Sequence, residues 1–492
     1  MASATPYFFN TLTRHKEPFE PLEPPCVRAY ACGPTVYDHP HLGNFRYFIW
    51  VDVLHRYLRW RGYEVELVIN LTDVDDKTIA RAAAAGVDLP QFTERYARAF
   101  FDGLEALHTL PATHYPRATD HIQEMVELIE RLLASGHAYR SDGSVFFRVA
   151  SFPAYGRLAR LDPEQMRSTE RVEQDDFGKE DRRDFALWKK AKHGEPAWDA
   201  PFGRGRPGWH LECSAMSMKY LGTTFDLHLG GVDLVFPHHE NEIAQSEAVT
   251  GEPFVRTWMH CSHLIVEGVK MSKSLGNFYT LAQLLERGHD PLAIRYLLAS
   301  VHYRRQLNFT FEAVEQAASA ITRLRQLVVR SEQEASRLPQ SAPERTTQLD
   351  NALQLAREGF ATALDDDLNT AGALGSLFTL VRETHAALDD GAADGVTLAA
   401  VLDWLREADK IWGLLPVDDP LLEFRIQHAG KEILARGPKV SAQIEALIRQ
   451  RAMARAERDF GAADRLRKQL AELGIELDDT AQGVRWRRAG TI

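Results

Sequence analysis

Cysteine is scarce in this chain, and long apolar runs are missing. Four cysteines in 492 residues do not make a disulfide framework, so a reducing compartment is expected and the cytoplasm is the predicted location. No stretch approaches the ~18 consecutive apolar residues of a membrane span, so no membrane partner is expected. The opening MASATPYFFNTLTRHKEPFE has no apolar core of the secretory type, so we expect no signal peptide.

Positive charge is also in short supply, because the formal net charge is −11 at pH 7. This balance argues against a general nucleic-acid binder. The distribution is uneven, however. Lys431–Ile492 carries 13 Lys and Arg against 9 Asp and Glu, which leaves −15 on the remainder. A basic tail on an acidic body suits local contact with phosphates, although a solvated helical surface gives the same count.

Strand and helix patterns alternate near the start. Val27–Cys32 (VRAYAC) and Glu64–Asn70 (EVELVIN) have the pattern of buried strands, and helical periodicity runs between them from about Arg46 to Arg61. Gly62 is predicted to end that helix. A strand, a helix and a strand in this order predict a βαβ unit and a parallel sheet.

Further elements follow at longer intervals. A helix is predicted from an N-cap at Thr119 to Ser135, because its apolar residues keep helical spacing. Sheet patterning returns at Phe225–Leu229 and again at His260–Val266.

Composition divides the rest of the chain. Ser141–Gly208 is rich in turns, charge and aromatics, which predicts an inserted domain. Phe311 to about Leu415 reads as long amphipathic helices, interrupted by a polar loop at Ser331–Thr346. A second break, Pro416–Pro420, is predicted to separate a small C-terminal domain. The sequence shows no internal repeat.

Two short strings suit phosphate binding. His41-Leu42-Gly43-Asn44 lies just past the first strand, where an α/β sheet presents backbone N–H groups and a helix dipole to an anion. The string Lys270-Met271-Ser272-Lys273-Ser274 follows the late strand and suits a mobile clamp on a polyphosphate. Alone, the first is a weak signal, and the second equally fits an exposed basic turn.

Four dispersed residues can be combined into one metal site: Cys32, Cys213, His238 and Glu242. The last two are spaced i, i+4, so on a helix they share a face. Two thiolates, an imidazole and a carboxylate suit tetrahedral Zn²⁺. The residues by themselves leave an alternative open, because a free cysteine is often a small buried apolar side chain.

The surrounding strings resemble one family. HLGN resembles the HIGH signature and KMSKS is the second signature of class I aminoacyl-tRNA synthetases. Seven longer strings resemble cysteinyl-tRNA synthetases: YACGPTVYD, NLTDVDDKTIARA, PRATDHI, DFALWK, GRPGWHLECSAMS, FPHHENEIAQSE and KMSKSLGNF. LDDDLNT and the run from DFGAADRLRKQL to GVRW extend the resemblance to nearly the whole chain.

The resemblance implies an α/β fold with a Rossmann-like parallel-sheet catalytic domain, an inserted connective domain, an α-helical bundle and a small C-terminal α/β domain. The expected catalytic halves are 1–136 and 209–305, separated by a connective domain at 137–208. The bundle is expected at 306–420 as a tRNA-binding domain, and an anticodon-binding domain at 424–492. A monomer is expected.

The resemblance also implies an ATP-dependent reaction in two steps, with ATP, L-cysteine and the cysteine tRNA as partners. His41, Gly43 and Asn44 would hold ATP, and Mg²⁺ would accompany it. Lys273 would stabilise the leaving pyrophosphate, while Lys270 and Ser272 would shape the loop.

For the amino-acid pocket, the family implies one zinc held by Cys32, Cys213, His238 and Glu242, which receives the substrate thiolate and so rejects serine. Thr35, Trp209 and His228 match family positions near the pocket, although Trp209 could equally be a core residue. One departure is Leu229, where the family usually has glycine. Because leucine cannot adopt every backbone conformation open to glycine, the local loop geometry is in question.

Two alternatives stay open. One is the cysteine ligase of mycothiol synthesis, a relative without the full tRNA-binding tail. The other is a catalytically silent paralogue that binds RNA, which is expected to have lost signature residues. In the tail, Trp486 is expected either to stack on an unpaired base or to pack inside its own domain.

Overall fold

The structure, a computed structural model, describes residues 5–161, 179–272, 275–335, 337–338, 346–415, 422–428, 431–437, 442–480 and 483–488. Contacts divide the chain into two compact units, Met1–Leu414 and Leu415–Ile492. Among the described residues, no helix combines the length and the apolar character that a bilayer crossing requires.

The first unit mixes strands and helices along its whole length. Its strands are β1 (Tyr7–Asn10), β2 (His15–Pro18), β3 (Cys26–Ala31), β4 (Glu64–Ile69), β5 (Ala138–Ser141), β6 (Ser144–Phe147), β7 (Phe185–Lys190), β8 (Gly205–Pro207), β9 (Phe225–Gly231), β10 (Val255–Cys261), β11 (Leu264–Val266), β12 (Val269–Lys270) and β13 (Leu307–Phe309). Its helices are α1 (Leu42–Trp60), α2 (Asp76–Ala85), α3 (Leu89–Ala106), α4 (Ile122–Ala134), α5 (Trp209–Leu221), α6 (Glu240–Thr250), α7 (Leu281–Glu286), α8 (Pro291–Ser300), α9 (Phe311–Ala335), α10 (Thr346–Asp365), α11 (Thr370–Asp389) and α12 (Gly395–Trp412).

The centre of this unit is a four-stranded sheet in the order β10–β9–β3–β4. Every neighbouring pair in it is parallel. The side chains of β9 are almost all buried, as is typical of a parallel sheet covered on both faces. The predicted α/β fold with a parallel sheet is confirmed. All four strands present their carboxyl ends at one edge, where ligands bind in such folds.

Helix α1 connects β3 to β4 and begins four residues before the predicted Arg46. The reason is a reciprocal cap: the Asn44 amide donates to His41 Nδ1, and the His41 amide donates to Asn44 Oδ1. The cap satisfies N–H groups at the helix start. At the other end, Arg61 is the C-cap and Gly62 has a φ of 90°.

The predicted start of α4 is wrong. Thr119 does not cap α4; its hydroxyl and amide donate to the Asp73 carboxylate at 2.6 and 3.0 Å, so α4 starts later, at Ile122. The sheet patterning predicted at His260–Val266 is confirmed, but it falls on two strands, the end of β10 and β11. The chain leaves the central sheet after β10, and β11 pairs with β12 and β13 in a separate sheet.

The inserted region contains an antiparallel sheet in the order β5–β6–β7–β8. Trp188 lies at its centre, fully buried, and its ring packs edge-on against Phe202 with centroids 5.3 Å apart. Residues 162–178 of this region lie outside the described part of the chain.

Four long helices, α9 to α12, follow these sheets in the chain. Helix α9 continues to Ala335, beyond Ser331, where the polar loop was expected to begin. Arg295, which is fully buried, connects helix α12 to the sheet region. Its guanidinium donates to Asp52 Oδ2 of α1 at 2.5 Å and to the carbonyl of Trp412 of α12 at 2.6 Å.

The second unit is a small α/β unit. It consists of β14 (Leu422–His428), β15 (Lys431–Gly437), α13 (Ala442–Ala456), α14 (Phe460–Glu472), β16 (Ile475–Thr480) and β17 (Gly483–Arg488). The sheet order is β14–β15–β17–β16. Trp486 is 4% exposed and packs in the core of this unit with Ile448 and Leu470, so it is a packing residue and not an exposed stacking platform. The predicted break Pro416–Pro420 lies outside the described residues.

Candidate functional site

The four predicted metal ligands meet at the carboxyl edge of the central sheet. Cys32 directly follows β3, Cys213 lies on α5, His238 lies in the helical turn that leads into α6, and Glu242 lies in the first turn of α6. One ligand atom from each lies within 4.8 Å of the others, and all four residues are buried. The two Sγ atoms are 4.0 Å apart, and His238 Nε2 is 3.1 Å from Glu242 Oε1.

The four candidate ligands shift one another's pKa values. The pKa of Cys213 is lowered to about 6, because the Cys32 thiol donates a hydrogen bond to it. Burial opposes ionisation of Glu242, but His228 and His238 outweigh it and lower its pKa to about 2. Burial also opposes a proton on His238, but Cys213 and Glu242 outweigh it and raise its pKa to about 10. Two sulfurs, one nitrogen and one carboxylate, enriched in negative charge, fit zinc.

A second group overlaps the first. It shares Cys32 and Glu242 and adds His228 and His239, again with ligand atoms within 4.8 Å. His228 Nε2 lies 2.8 Å from Glu242 Oε2, and His239 Nε2 lies 3.3 Å from Cys32 Sγ. The sequence interpretation missed His239, although the consecutive histidines in FPHHE were a visible signal. It placed His228 near the amino-acid pocket, and the structure places that side chain fully buried against Glu242.

Trp209 and Thr35 are the other residues predicted to lie near the amino-acid pocket. The Trp209 ring lies over His238, with centroids 4.3 Å apart, and is half-buried, so it is not a plain core residue. Thr35 lies in the loop after β3, next to Val36, whose amide donates to the carbonyl of Thr72 at 3.1 Å. The Thr72 hydroxyl in turn donates to Glu212 at 2.8 Å, which connects this loop to α5 beside Cys213.

Gly33 explains how this loop approaches the sheet. Its amide donates to Asn70 Oδ1 at 2.7 Å, and a Cβ at this position would lie 1.4 Å from the Asn70 carbonyl oxygen. Any side chain would therefore force the loop away from β4. Asn70 Oδ1 also lies 3.9 Å from Cys213 Sγ, so Gly33 and the thiol pocket depend on the same amide.

The two strings that were predicted to bind phosphate approach each other at Gly43 and Met271. The amide of Leu42 donates to the carbonyl of Tyr279 at 3.0 Å, and the His41 ring packs edge-on against Phe278 with centroids 5.2 Å apart. A Cβ on Gly43 would lie 2.9 Å from the His41 ring and 3.3 Å from the Met271 methyl. Because His41 Nδ1 accepts from the Asn44 amide, the neutral ring carries its proton on Nε2, as a phosphate ligand requires.

The second string is only partly described. Lys270 is exposed at the end of β12, while Lys273 and Ser274 lie outside the described residues. Asn277, which sequence reasoning did not single out, bridges the first and third residues of the string. Its Oδ1 accepts from the Ser272 amide at 2.8 Å, and its Nδ2 donates to the Lys270 carbonyl at 3.2 Å.

Comparisons with known proteins identify the family. Residues 18–319 match the profile of the tRNA synthetases class I (C) catalytic domain, residues 359–416 the DALR domain, and residues 437–487 the cysteinyl-tRNA ligase anticodon binding domain. A cysteine–tRNA ligase of Solibacter usitatus is 48% identical over 98% of this chain and 99% of its own length. One of Brachyspira hyodysenteriae is 46% identical with the same coverage of both chains. The chain belongs to the cysteine–tRNA ligase family.

Solved structures agree on the fold. Mycobacterium tuberculosis methionyl-tRNA synthetase in complex with methionyl-adenylate superposes with a TM-score of 0.62, covering 79% of this chain and 92% of that chain at 18% identity. An Agrobacterium radiobacter LeuRS–tRNA ternary complex gives 0.59, with 95% and 96% covered at 12% identity. The family matches and the relatives confirm the predicted family, the predicted fold class and the assignment as a cysteine–tRNA ligase.

Within this cysteine–tRNA ligase, Leu229 does not distort the site. It pairs with Ala31 and Met259 inside the parallel sheet and is not among the residues with a positive φ. Its carbonyl accepts from the Cys32 amide at 3.1 Å and from the Tyr47 hydroxyl at 2.9 Å. Leucine is tolerated because a regular strand needs no glycine at this position.

Proposed function

We propose that this chain activates L-cysteine with ATP and transfers it to the terminal ribose of the cysteine tRNA, with zinc selecting the amino acid. The observation that carries the proposal is the shared location of two features. Cys32 of the Cys32–Cys213–His238–Glu242 quartet and the His41–Asn44 helix start both follow β3, at the carboxyl edge of the sheet. We therefore place the amino acid held by the quartet and the nucleotide held at α1 at the same edge of the sheet.

In the first step, the carboxylate of cysteine attacks the α-phosphate of ATP, and pyrophosphate leaves with its magnesium. His41 donates from Nε2 to a phosphate oxygen, and the capped N-terminus of α1 contributes its dipole. Asn44 holds the His41 tautomer through its amide. Lys273 neutralises charge that develops on the pyrophosphate, and Lys270 with Ser272 shapes the loop that carries it.

In the second step, the terminal ribose hydroxyl attacks the activated carbonyl and AMP leaves. The protein positions both reactants, so no covalent enzyme intermediate is required. The helices within 306–420 and the unit within 424–492 bind the tRNA. The basic charge of the tail, +4 over Lys431–Ile492, suits contact with phosphates.

Selection against serine rests on the quartet. Zinc bound by these four residues supplies a site for the thiolate of cysteine, a soft ligand that the hydroxyl of serine does not replace. Trp209, packed over His238, lies beside the quartet, and Thr35, in the loop after β3, is the other residue that we assign to the amino-acid pocket. An apolar pocket separates such isosteres poorly, so metal coordination removes the need for an editing domain. Free thiols are also consistent with a cytoplasmic location.

Exchange of pyrophosphate into ATP tests the first step directly. We expect exchange that depends on L-cysteine and stays at background with L-serine. Exchange with serine at a comparable kcat/KM would contradict the role of the quartet. The absence of exchange with either amino acid, in protein that contains zinc, would favour a silent paralogue.

A further inference from the structure

A row of hydrogen bonds leads from the N-terminal segment to the thiol pocket. Thr11 Oγ1 lies 2.7 Å from His260 Nδ1, His260 Nε2 lies 2.8 Å from His239 Nδ1, and His239 Nε2 lies 3.3 Å from Cys32 Sγ. We call these four residues the Thr11 relay. All four are buried, with no more than 6% of any side chain exposed. Its members come from distant parts of the chain, since Thr11 and His260, which are neighbours in the relay, are 249 positions apart in sequence.

The relay has only two consistent directions. A neutral imidazole donates through one nitrogen and accepts through the other, so two rings in series must point the same way. Either Cys32 donates and the chain ends with Thr11 as acceptor, or Thr11 donates and the chain ends with Cys32 as acceptor. A hydroxyl can serve in both, because it carries one proton and two lone pairs.

Without a metal, Cys32 is a thiol that donates to Cys213; with a metal bound it would be a thiolate, and a thiolate selects the second direction. A sulfur that binds a metal is deprotonated and can only accept. His239 Nε2 then carries a proton directed at Cys32 Sγ, and its Nδ1 accepts from His260. The Thr11 hydroxyl is the terminal donor that makes this arrangement complete.

We propose that Thr11 is a positioning residue for the metal site: through His260 and His239 its hydroxyl directs one N–H to the Cys32 thiolate and keeps His239 out of the coordination set. This inference rests on the metal-dependent function proposed above. It also distinguishes the two overlapping groups of ligands. A His239 that donates from Nε2 has no lone pair there for a metal, which leaves Cys32, Cys213, His238 and Glu242.

The packing around the relay holds each member in place. The amide of Thr11 donates to the Trp258 carbonyl at 2.8 Å, so the hydroxyl is presented from a fixed backbone. The Trp258 ring lies 5.2 Å from the His239 ring, centroid to centroid. On the other side, a Cβ on Gly230 would lie 2.3 Å from His239 Cε1, so glycine is required for the ring to sit where it does.

The experiment uses the full-length protein freed of metal and titrated with Co²⁺ alone. Two readouts are the affinity for Co²⁺, measured against a competing chelator, and the thiolate-to-cobalt charge-transfer absorption. Thr11→Val keeps the shape and removes the hydroxyl, whereas Thr11→Ser keeps the hydroxyl. Thr13→Val is the matched control, because the Thr13 hydroxyl contacts only the Asn10 carbonyl among described partners, at 3.5 Å.

We expect Thr11→Val to lower the Co²⁺ affinity about 10- to 100-fold, as removal of outer hydrogen-bond partners does at other metal sites, and to shift the charge-transfer band. Thr11→Ser and Thr13→Val should match the unmodified protein in both readouts. Gly230→Ala, which displaces the His239 ring without altering Thr11, should shift the same band. If Thr11→Val does not fold, the Gly230→Ala measurement tests whether the position of the His239 ring affects the metal site.

The outcomes separate this inference from the function it rests on. If the unmodified protein binds Co²⁺ with thiolate ligands, but Thr11→Val and Gly230→Ala leave both affinity and band unchanged, the relay is overturned and the metal site stands. If the unmodified protein shows no thiolate-to-cobalt band, the metal site and the relay are overturned together.

Discussion

The carboxylate of Asp367 accepts a hydrogen bond from the amide of Phe9 at 2.9 Å, across 358 positions of the chain. The same carboxylate accepts from the Tyr303 hydroxyl at 2.6 Å and from Arg304 Nε at 2.7 Å, and it is fully buried. Asp367 therefore connects the segment between α10 and α11 to the N-terminal strand β1, which leads into Thr11. The LDDDLNT string is thus a junction between the helices and the sheet region.

Replacing Asp367 with alanine should destabilise the protein by about 2–4 kcal/mol, because it leaves the Tyr303 hydroxyl and the Phe9 amide without their acceptor. Urea unfolding of the full chain measures this. Asp366→Ala is the matched control, since its ion pair with Lys16 leaves both side chains at least 40% exposed and should contribute at most about 1 kcal/mol. Equal effects of the two substitutions would contradict the junction.

Adding a methyl group at Gly43 should impair the use of ATP. The new Cβ would collide with the His41 ring 2.9 Å away, so Gly43→Ala should displace the proposed phosphate donor. We expect kcat/KM for ATP in pyrophosphate exchange to fall about 100-fold, the scale for loss of one preorganised donor.

Gly375→Ala serves as the control for glycine replacement, because nothing lies within 4 Å of a Cβ at that helical position. It should leave exchange unchanged and slightly stabilise α11. A Gly43→Ala enzyme with unaltered exchange would show that His41 has room to move and does not need its present position.

Cys213→Ser should lower zinc content and raise KM for cysteine far more than KM for ATP, because a hydroxyl is a poor substitute for a thiolate ligand. Elemental analysis measures the zinc content, and exchange kinetics on the same preparation measure the two KM values. Cys26→Ser is the matched control, since Cys26 is half-buried at the start of β3 and contacts Glu64 rather than the quartet. Full zinc occupancy in Cys213→Ser would remove Cys213 from the ligand set.

Truncation at about Asp419 should leave cysteine-dependent exchange largely intact, because the proposed zinc and ATP residues all precede Tyr279 and the first compact unit ends at Leu414. Charging of the cysteine tRNA should fall sharply. The truncated protein should also become nearly indifferent to anticodon substitutions that impair charging by the full chain. Retained anticodon discrimination would move recognition into the helices α9 to α12.

The sequence was most informative where residues act through their own chemistry. Cys32, Cys213 and the His238–Glu242 pair could be proposed as a ligand set because their donor atoms suit zinc and because the strings that hold them resemble those of a known family. The parallel sheet followed from apolar runs of strand length separated by helical periodicity. These features are local in the sequence, so they can be recognised without knowledge of the fold.

What escaped prediction depends on distant or reciprocal contacts. The start of α1 was predicted too late because the apolar periodicity does not reveal where the helix begins. The actual start is set by the reciprocal hydrogen bonds between His41 and Asn44. Thr119 looked like a cap because nothing in its neighbourhood reveals that Asp73 would engage it. The Thr11 relay and the Asp367 junction join positions hundreds of residues apart, and a single sequence carries no record of such pairs.

Charging of cysteine tRNA is the most direct test of the central claim. With ATP, Mg²⁺ and radiolabelled amino acid, the full chain should form cysteinyl-tRNA at a rate comparable with its adenylate formation and should form no seryl-tRNA above background. Robust exchange without any charging would contradict the assignment as a tRNA ligase and indicate a different acceptor for the activated cysteine, such as the amino sugar used by the related cysteine ligases.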